Sequence, residues 1–435
     1  MGFGLAVVIG GVVGSGIMRN PSVVAEGFPN AGWILLAWLA GGLFVMIDAM
    51  PTVELGAAIP LAGGTYSIVT RAIGPRAGFM VGWCTAAQII ISTGFITVAF
   101  GDYLHRLGWL PGLTAGQIGI LLVLGCGLVN GVGARTEGRL QETGSALKAL
   151  GLVVLVAALF FGDVSAAPAA APPPPPFMWV TAMVALRAIY GAYGGWEATI
   201  YFSEEVQAPE RNVVRATFSG IAIVGVLYLL VNAAVLHVLP IGALAHSTLA
   251  AADAAAVVFG GQSGVIVTGL AILCVATIAN TQVLEVSRVL FAMARLGVLP
   301  PGLARVSESG APRIALMAGI GATIIVIAAA DSVKGQLYEI LLDLYAPIIM
   351  IQFLMMSIAA IWLRRAEPGL SRPFRMPLYP LPALLSISLN ALLIALFLQS
   401  DWKTGLCSAL LLLCAVPVYM IGRRRWRAES EAAAG

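Results

Sequence analysis

Gly14-Ser15-Gly16-Ile17 interrupts an apolar run that starts at Leu5, and Gly191-Ala192-Tyr193-Gly194-Gly195-Trp196 interrupts a second run that starts near Met178. A helix broken at membrane depth leaves backbone N–H and C=O groups that lipid cannot satisfy. Such a break therefore persists only where it lines a cavity enclosed by protein. Counting apolar spans places the two breaks in spans 1 and 6. Paired breaks at equivalent positions of two halves indicate the substrate site of an inverted-repeat transporter.

The composition is that of a polytopic helical membrane protein. Of the 435 residues, 59% are hydrophobic and only 10% are charged, and the mean hydropathy is +0.94. The gaps between apolar runs leave no room for a soluble domain, and no cleavable signal peptide pattern is visible. A window of about 20 apolar residues predicts twelve membrane spans, at residues 3–27, 31–58, 77–104, 117–134, 141–162, 177–203, 214–239, 262–294, 312–330, 336–363, 381–398 and 404–422.

The basic residues predict the orientation. If the N-terminus is inside, the opposite side holds mainly Arg106, Lys334 and Lys403, with Arg19 near a helix end. Positive charge concentrates on the cytoplasmic side of membrane proteins, so both termini are predicted to be cytoplasmic in a multi-pass plasma (inner) membrane protein. The cytoplasmic group would comprise Arg71, Arg76, Arg135, Arg139, Arg211, Arg215, Arg295, Arg305, Arg313, Arg364, Arg365, Arg372, Arg375, Arg423, Arg424, Arg425 and Arg427.

The two breaks suit a zwitterionic ligand. The half-helix after Gly16 presents free N–H groups and a positive dipole end, which favour a carboxylate. The half-helix that ends near Tyr190 presents free carbonyls, which favour an ammonium. In contrast, Gly10-Gly11 and Gly41-Gly42 are predicted to be packing contacts of small residues between helices. The predicted substrate-binding residues are Gly14, Ser15, Gly16, Ile17, Tyr190, Gly191, Tyr193, Gly194 and Trp196.

Five groups of motifs are spread along nearly the whole chain: Gly14–Pro21; Glu54-Leu55-Gly56 with Pro60, Gly63-Gly64, Tyr66, Gly78-Phe79 and Gly82-Trp83; Tyr193–Trp196 with Tyr201, Glu204-Glu205-Val206, Pro209–Asn212 and Arg215; Ser287-Arg288 with Ala292–Arg295, Gly297 and Leu299-Pro300; and Arg372–Arg375 with Pro377–Pro380. In combination they resemble the amino acid–polyamine–organocation (APC) superfamily, and within it the bacterial relatives of the L-type amino acid transporters.

The resemblance implies an all-α membrane protein with the five-plus-five inverted-repeat fold of the leucine transporter. The first repeat would be residues 1–162, the second residues 177–363, and two extra helices would follow at 381–422, all in one membrane domain. It also implies amino acid binding at the breaks in spans 1 and 6. Many relatives carry an acidic residue before the Gly-Trp pair of span 6, where this chain has Gly194.

Charged residues inside a membrane are costly and usually functional. Lys148 lies in span 5, where the resemblance implies the region that holds a cation in sodium-coupled members. It is interpreted either as a proton carrier or as a structural tether in a sodium-independent exchanger; the alternative is a lysine that snorkels to the surface. Arg187, one turn before Tyr190, is expected either to contact substrate or to pair with a carboxylate of another span.

Other polar residues allow weaker predictions. Glu285 and Arg288 are spaced to pair on one helix face, whereas no partner can be named for Asp48, Glu197 and Asp343. Glu204-Glu205 with Arg211 and Arg215 form either an inner gate of ion pairs or a solvated loop.

The remaining residue types indicate no chemistry. The cysteines are interpreted as core residues, namely Cys84, Cys126, Cys274, Cys407 and Cys414. No metal or other cofactor is expected. The histidines His105, His237 and His246 are predicted at outer span ends. Residues 167–176, with five consecutive prolines, predict an extended outer connection, and the basic tail from Arg423 to Arg427 is expected to lie beside anionic lipid.

These patterns predict a secondary active transporter of small to medium neutral L-amino acids that works by alternating access. Neutral substrates are expected because no acidic side chain is predicted near the span 6 break. Transport would be sodium-independent, by exchange or by proton symport, with the substrate, the lipid bilayer and, for symport, protons as partners. Cationic or anionic amino acids or other amines remain the alternative. The sequence requires no partner subunit and indicates no nucleic acid. It also shows no cluster of catalytic residues for an enzyme and no phosphate-binding loop for an ATP-driven pump.

Overall fold

Helices alone make up the regular structure of the described part of the chain. The computed structural model describes residues 2–61, 63–132, 134–164, 173–202, 206, 208–260, 263–307, 312–331, 337–400 and 402–422. The α-helices are α1 Gly2–Val12, α2 Ser15–Gly27, α3 Ala31–Ala58, α4 Thr65–Ala72, α5 Pro75–Arg106, α6 Ala115–Val132, α7 Ala134–Phe161, α8 Trp179–Ala192, α9 Ala198–Tyr201, α10 Pro209–Val238, α11 Ile241–Ala245, α12 Ala250–Phe259, α13 Ser263–Arg295, α14 Arg313–Asp331, α15 Leu337–Ala366, α16 Leu381–Ser400 and α17 Trp402–Leu413.

Nine helices of the described residues are long and apolar enough to cross a membrane, and the bent pair α1–α2 makes a tenth. These ten coincide with predicted spans. The other two predicted spans, 117–134 and 177–203, correspond to the shorter apolar helix α6 and to the interrupted segment α8–α9. The structure thus confirms a polytopic helical membrane protein, while the count of twelve spans stays a prediction.

Helix α5 lies at the centre of the bundle. Its most apolar window is 83% buried, against 22% for the window Gly405–Gly422 near the end of the chain. It packs against α13, α15, α6 and α4. Helix α5 is therefore the central helix against which the others pack. The last helices instead expose apolar side chains, as contact with lipid requires.

Local sequence explains where several helices begin. Asn30 caps α3 because its side-chain oxygen accepts a hydrogen bond of 2.9 Å from the Trp33 backbone N–H. Pro75 starts α5 in the first helical turn, where its missing N–H is not needed. Gly74 precedes it at φ +122°, a conformation that favours glycine.

A buried carboxylate joins one end of α3 to α15. Glu54 accepts hydrogen bonds of 2.8 and 2.5 Å from the Arg364 guanidinium and one of 2.6 Å from the backbone N–H of Met376. The Arg372 guanidinium lies 3.4 Å away. The resembling motifs around Glu54 and Arg372 therefore meet in one ion-pair cluster, which fixes the segment between α15 and α16.

The cysteine prediction is partly wrong. Cys84, Cys126 and Cys274 are buried, but Cys407 and Cys414 are exposed because they lie on the outer face of the last helices. The described residues hold no group of three His, Cys, Asp or Glu side chains that could bind a metal. His105, His237 and His246 are exposed at helix ends, as predicted.

Some predictions fall on parts of the chain outside the description. Glu204-Glu205, most of residues 167–176 and the tail from Arg423 to Arg427 lie outside the described residues, as does the side chain of Asp343.

Candidate functional site

The first predicted break lies between α1 and α2. Helix α1 ends at Val12, α2 begins at Ser15, and the two axes differ by 45°. Gly14 precedes α2 at φ −143° and ψ −147°, and no side chain caps this helix. The N–H groups of the first turn of α2 therefore have neither an intrahelical nor a capping partner.

The second predicted break follows α8. Helix α8 ends at Ala192, residues 193–197 form turns, and α9 begins at Ala198. Gly195 has φ +100°, which a residue with a side chain adopts only with strain. This glycine lets the chain turn sharply before it continues into α9.

The two breaks touch each other. A Cβ atom added to Gly11 would lie 2.8 Å from the carbonyl oxygen of Gly195, and one added to Gly195 would lie 2.6 Å from the carbonyl oxygen of Gly11. Neither position has space for a side chain. The two interrupted segments are therefore in direct contact.

Side chains of neighbouring helices satisfy the carbonyls that the breaks leave open. The Tyr228 hydroxyl of α10 lies 2.8 Å from the carbonyl oxygen of Val12 and 3.0 Å from that of Ala192. It thus joins the last residue of α1 to the last residue of α8. The ammonium of Lys148 donates hydrogen bonds of 2.6 Å to the carbonyl of Gly10 and 2.9 Å to that of Val13.

Lys148 is completely buried, so the snorkelling alternative is wrong. Its helix, α7, packs closely on the last turn of α1, because Gln141 and Ser145 occupy the space that a Cβ atom of Gly10 would fill. Packing at Gly10, Gly41 and Gly42 is as predicted, against Gln141, Ile189 and Tyr193 respectively.

A cavity of about 330 Å³ lies beside the two breaks. Its wall comes from both broken segments and from helices α5, α13 and α15. Its lining residues are Gly11, Val12, Gly14, Gly16, Arg19, Asn20, Val23, Gln88, Ile89, Ser92, Phe95, Ile96, Val184, Arg187, Ala188, Tyr190, Gly191, Ala192, Gly194, Gly195, Glu197, Ile278, Gln282, Glu285, Tyr345, Ala346, Ile349 and Met350.

Five of the predicted substrate-binding residues line this cavity, namely Gly14, Gly16, Tyr190, Gly191 and Gly194. Gly191 is the most open of them, because a Cβ atom added there would meet no atom within 4 Å. Arg187, predicted as a possible contact, also lines the cavity, and its guanidinium lies 5.8 Å from the ring centre of Phe397 in α16.

The placement of Ile17, Tyr193 and Trp196 differs from the prediction, because none of them lines the cavity. Ile17 is buried among apolar side chains. After Ala192 the chain turns, and the Tyr193 ring packs between Trp38 and Tyr228. The Trp196 ring stacks on Phe353 of α15. The side chain of Ser15 lies outside the described structure.

The expected free carbonyls at the end of α8 are also largely used. Asn20 of α2 donates a hydrogen bond of 2.7 Å to the carbonyl of Ala188. The backbone N–H of Tyr193 lies 3.3 Å from the carbonyl of Ile189 and 3.2 Å from that of Tyr190. Since a carbonyl oxygen can accept two hydrogen bonds, the carbonyls of Ile189 and Tyr190 retain one acceptor position each.

The expectation that no acidic side chain lies near the second break is wrong. Glu197 directly follows that break and lines the cavity, and Glu285 of α13 lines it as well. No ion pair joins Glu285 to Arg288 among the described residues, because the Glu285 side chain lies at the cavity wall instead. Sequence patterns marked Glu197 only as an acid without a partner.

Polar residues of α5, α13 and α15 complete the wall, and sequence reasoning missed them. Gln282 donates a hydrogen bond of 2.6 Å to Ser92 and accepts one of 3.2 Å from Thr93. Gln88 and Tyr345 also line the cavity. The polar face of α5 was a usable signal, because Gln88 and Ser92 lie one helical turn apart in an apolar span.

Asp48, for which the sequence offered no partner, anchors Tyr190. Its carboxylate is fully buried and accepts hydrogen bonds of 2.7 Å from the Tyr190 hydroxyl, 2.5 Å from Ser386 and 3.0 Å from Asn390. Tyr190 belongs to α8, whereas Ser386 and Asn390 belong to α16. One carboxylate therefore couples the cavity wall to a helix near the end of the chain.

A cavity at two touching helix breaks, in a bundle of membrane-length helices, is the arrangement of a membrane transporter. A family model described as amino acid permease matches residues 5–417. The chain therefore belongs to the amino acid permease family, and with it to the APC superfamily that its motifs resemble; it is a transporter and not an enzyme.

Individual relatives cover almost all of the chain. The serine/threonine exchanger SteT of Bacillus subtilis is 30% identical over 433 residues, which is 97% of this chain and 96% of the relative. The human Asc-type amino acid transporter 1 is 28% identical, with 96% of this chain and 80% of the relative covered. The human large neutral amino acids transporter small subunit 2 is 28% identical, with coverage of 96% and 78%.

Proposed function

We propose that this protein is a secondary transporter that carries amino acids by alternating access around the cavity at the two breaks. The observation that carries the proposal is the direct contact of the breaks beside a cavity of about 330 Å³. Family membership and the names of the relatives support amino acids as the substrate class.

The α-carboxylate of the substrate would bind at the first turn of α2. The free N–H groups there point to an anion, and the helix dipole adds to the attraction. Gly14 and Gly16 line the cavity at this place, so a ligand can approach the backbone closely. The α-ammonium would bind the carbonyls at the end of α8, near Tyr190 and Gly191, through their second acceptor positions.

The transport cycle would rest on an inverted repeat of twelve spans. Residues 1–162 and 177–363 would form the two five-span repeats, and residues 381–422 would add two spans. Both termini would lie in the cytoplasm and the protein would lie in the plasma (inner) membrane, as the arginine distribution predicts. The two interrupted segments would then rock against the rest of the bundle and expose the cavity to each side in turn.

The position of Lys148 supports sodium-independent transport. Its ammonium occupies the carbonyls of Gly10 and Val13, which a sodium ion at this place would need as ligands. Transport would proceed by exchange of amino acids, with Lys148 as a tether, or by proton symport. Small to medium neutral L-amino acids are the substrates that the names of the relatives favour.

Uptake of a panel of labelled amino acids into proteoliposomes of the purified protein tests this function. Each amino acid is offered with an inward proton gradient, with sodium, and with unlabelled amino acid trapped inside. Stimulation only by trapped amino acid supports exchange, and uptake driven by the proton gradient supports symport. Uptake that requires sodium contradicts sodium independence, and no uptake under any condition contradicts the assigned substrate class.

A further inference from the structure

Two buried carboxylates line the cavity, and the ion pairs found among the described residues include neither of them. Glu285 of α13 is 7% exposed, and among the described residues it makes no hydrogen bond or ion pair through its side chain. Glu197 is 4% exposed, and its carboxylate accepts one hydrogen bond of 3.1 Å from the backbone N–H of Gly195. Burial of an unpaired charge is expensive, so such groups usually have a ligand or a proton as partner.

Two uncharged polar groups lie on the same cavity wall. Gln88 of α5 is 3% exposed and makes no side-chain hydrogen bond to other described residues. The Tyr345 hydroxyl of α15 lies 3.3 Å from the place that a Cβ atom of Gly194 would occupy. Hydrogen-bond acceptors from α5, α13, α15 and the second break therefore line the same cavity. A ligand with several N–H donors could bind all of them.

The cavity wall also carries two arginines. Arg19 of α2 and Arg187 of α8 line the same cavity, and the guanidinium of Arg187 lies 5.8 Å from the ring centre of Phe397. The cavity wall thus combines unpaired acidic groups on α13 and at the second break with cationic groups on α2 and α8. A substrate with a carboxylate at one end and an amine at the other matches this distribution of charge.

We propose that Glu197 and Glu285, together with Gln88, form a subsite for a second positive charge on the substrate. The protein would then prefer amino acids with an amine-tipped side chain to neutral amino acids of the same length. This inference rests on the proposed function, since it names the substrate class of the same cavity. It also departs from the neutral substrates that the names of the relatives suggest.

An elongated organic cation fits the site better than a metal ion. The cavity of about 330 Å³ is much larger than one ion needs, and the described residues contain no cluster of three candidate metal ligands. The interacting groups also come from four separate elements along the cavity wall, so they can follow the length of a side chain.

Competition between two isosteric probes tests the subsite. L-Lysine and L-2-aminoheptanoic acid have side chains of equal length that end in an ammonium and a methyl group. Binding of each to the purified wild-type protein is measured by ligand-induced thermal stabilisation, and exchange of each is measured in proteoliposomes. We expect lysine to bind and exchange at least about tenfold better than 2-aminoheptanoic acid, as a charge-assisted hydrogen bond to a buried carboxylate provides.

The variant Glu285→Gln should abolish this preference, whereas Glu26→Gln, which removes an exposed carboxylate of α2, should retain it. Exchange of 2-aminoheptanoic acid that equals or exceeds lysine exchange in the wild type overturns the subsite and leaves amino acid transport intact. If sodium chloride displaces lysine but choline chloride does not, the carboxylates bind a metal ion, and this result also overturns the proposed subsite. Failure of every amino acid to bind or exchange overturns the proposed function itself. The wild-type comparison holds even if the variant does not fold.

Discussion

The ammonium of Lys148 lies 2.6 Å from the carbonyl oxygen of Gly10, in the last turn of α1. A second hydrogen bond of 2.9 Å reaches the carbonyl of Val13, just past the end of that helix. A cation from α7 therefore replaces the backbone partners that the break removes. We propose that the stability of the first break and the identity of the coupling ion both depend on this side chain.

Replacement of Lys148 by methionine tests this role. The variant Lys148→Met keeps the shape of the side chain but leaves buried carbonyls without a donor, so we expect stability to fall by about 1–3 kcal/mol. Thermal unfolding in detergent measures the loss. If Lys148 is a tether, exchange is lost together with stability. If it carries the proton, proton-driven uptake is lost while exchange of trapped amino acid survives. An unchanged unfolding midpoint would contradict the observed hydrogen bonds.

The Tyr228 hydroxyl should hold the two breaks together. Tyr228→Phe removes only the oxygen that contacts the carbonyls of Val12 and Ala192, and we expect destabilisation of about 1–3 kcal/mol together with slower exchange. Tyr419→Phe is the matched control, since the Tyr419 hydroxyl makes no hydrogen bond to other described residues. Equal stability and equal exchange rates of the two variants would show that the Tyr228 hydroxyl does not bridge the breaks.

Asp48 should position Tyr190 for substrate binding. Asp48→Ala leaves the hydroxyl of Tyr190 and the donors of Ser386 and Asn390 without their acceptor, so the cavity wall loses its anchor. We expect a higher KM for exchange, while Ser386→Ala, which keeps the contact to Tyr190, has a smaller effect. A change in maximal rate at constant KM would argue against a positioning role.

Two glutamates with arginine partners should differ sharply in their contribution to stability. Glu54→Ala leaves the guanidinium of Arg364 and the nearby Arg372 without their buried counter-charge, which we expect to lower stability by about 3 kcal/mol. Glu367→Gln breaks only the exposed contact to Arg71 and should leave the unfolding midpoint unchanged at physiological salt. A similar midpoint for both variants would contradict the structural difference.

Sequence patterns predicted the elements of this fold better than their contacts. Both breaks were identified because glycines interrupt apolar runs, and this local signal does not depend on neighbouring helices. Tyr193 was misplaced because Gly195 and the preceding turn redirect the chain. A helical projection of an unbroken span cannot show that change of direction.

The acidic wall of the cavity was not predictable in the same way. Glu197 and Glu285 are far apart in the chain, and the packing of the helices brings both to the wall of one cavity. A single sequence does not determine which helix faces meet. Asp48 shows the same limit, because its partners lie in α8 and in α16, more than a hundred residues away.

Gly191 offers a sharper test of the binding site than Gly14 or Gly16. A Cβ atom at Gly14 would lie 2.2 Å from Ile278, and one at Gly16 would lie 2.9 Å from the backbone of Ala192, so substitutions there disturb packing. A Cβ atom at Gly191 meets only open cavity. Gly269 of α13 is the matched control, because its added Cβ also meets nothing and the residue is exposed, away from the cavity.

The most direct test that the cavity at the two breaks is the transport site is an exchange measurement in proteoliposomes. It compares exchange of labelled amino acid by the wild-type, Gly191→Val and Gly269→Val proteins. We predict exchange by the wild type and by Gly269→Val, and at least about tenfold slower exchange at low substrate concentration by Gly191→Val, whose side chain occupies the cavity. Wild-type exchange by a folded Gly191→Val protein would contradict this assignment.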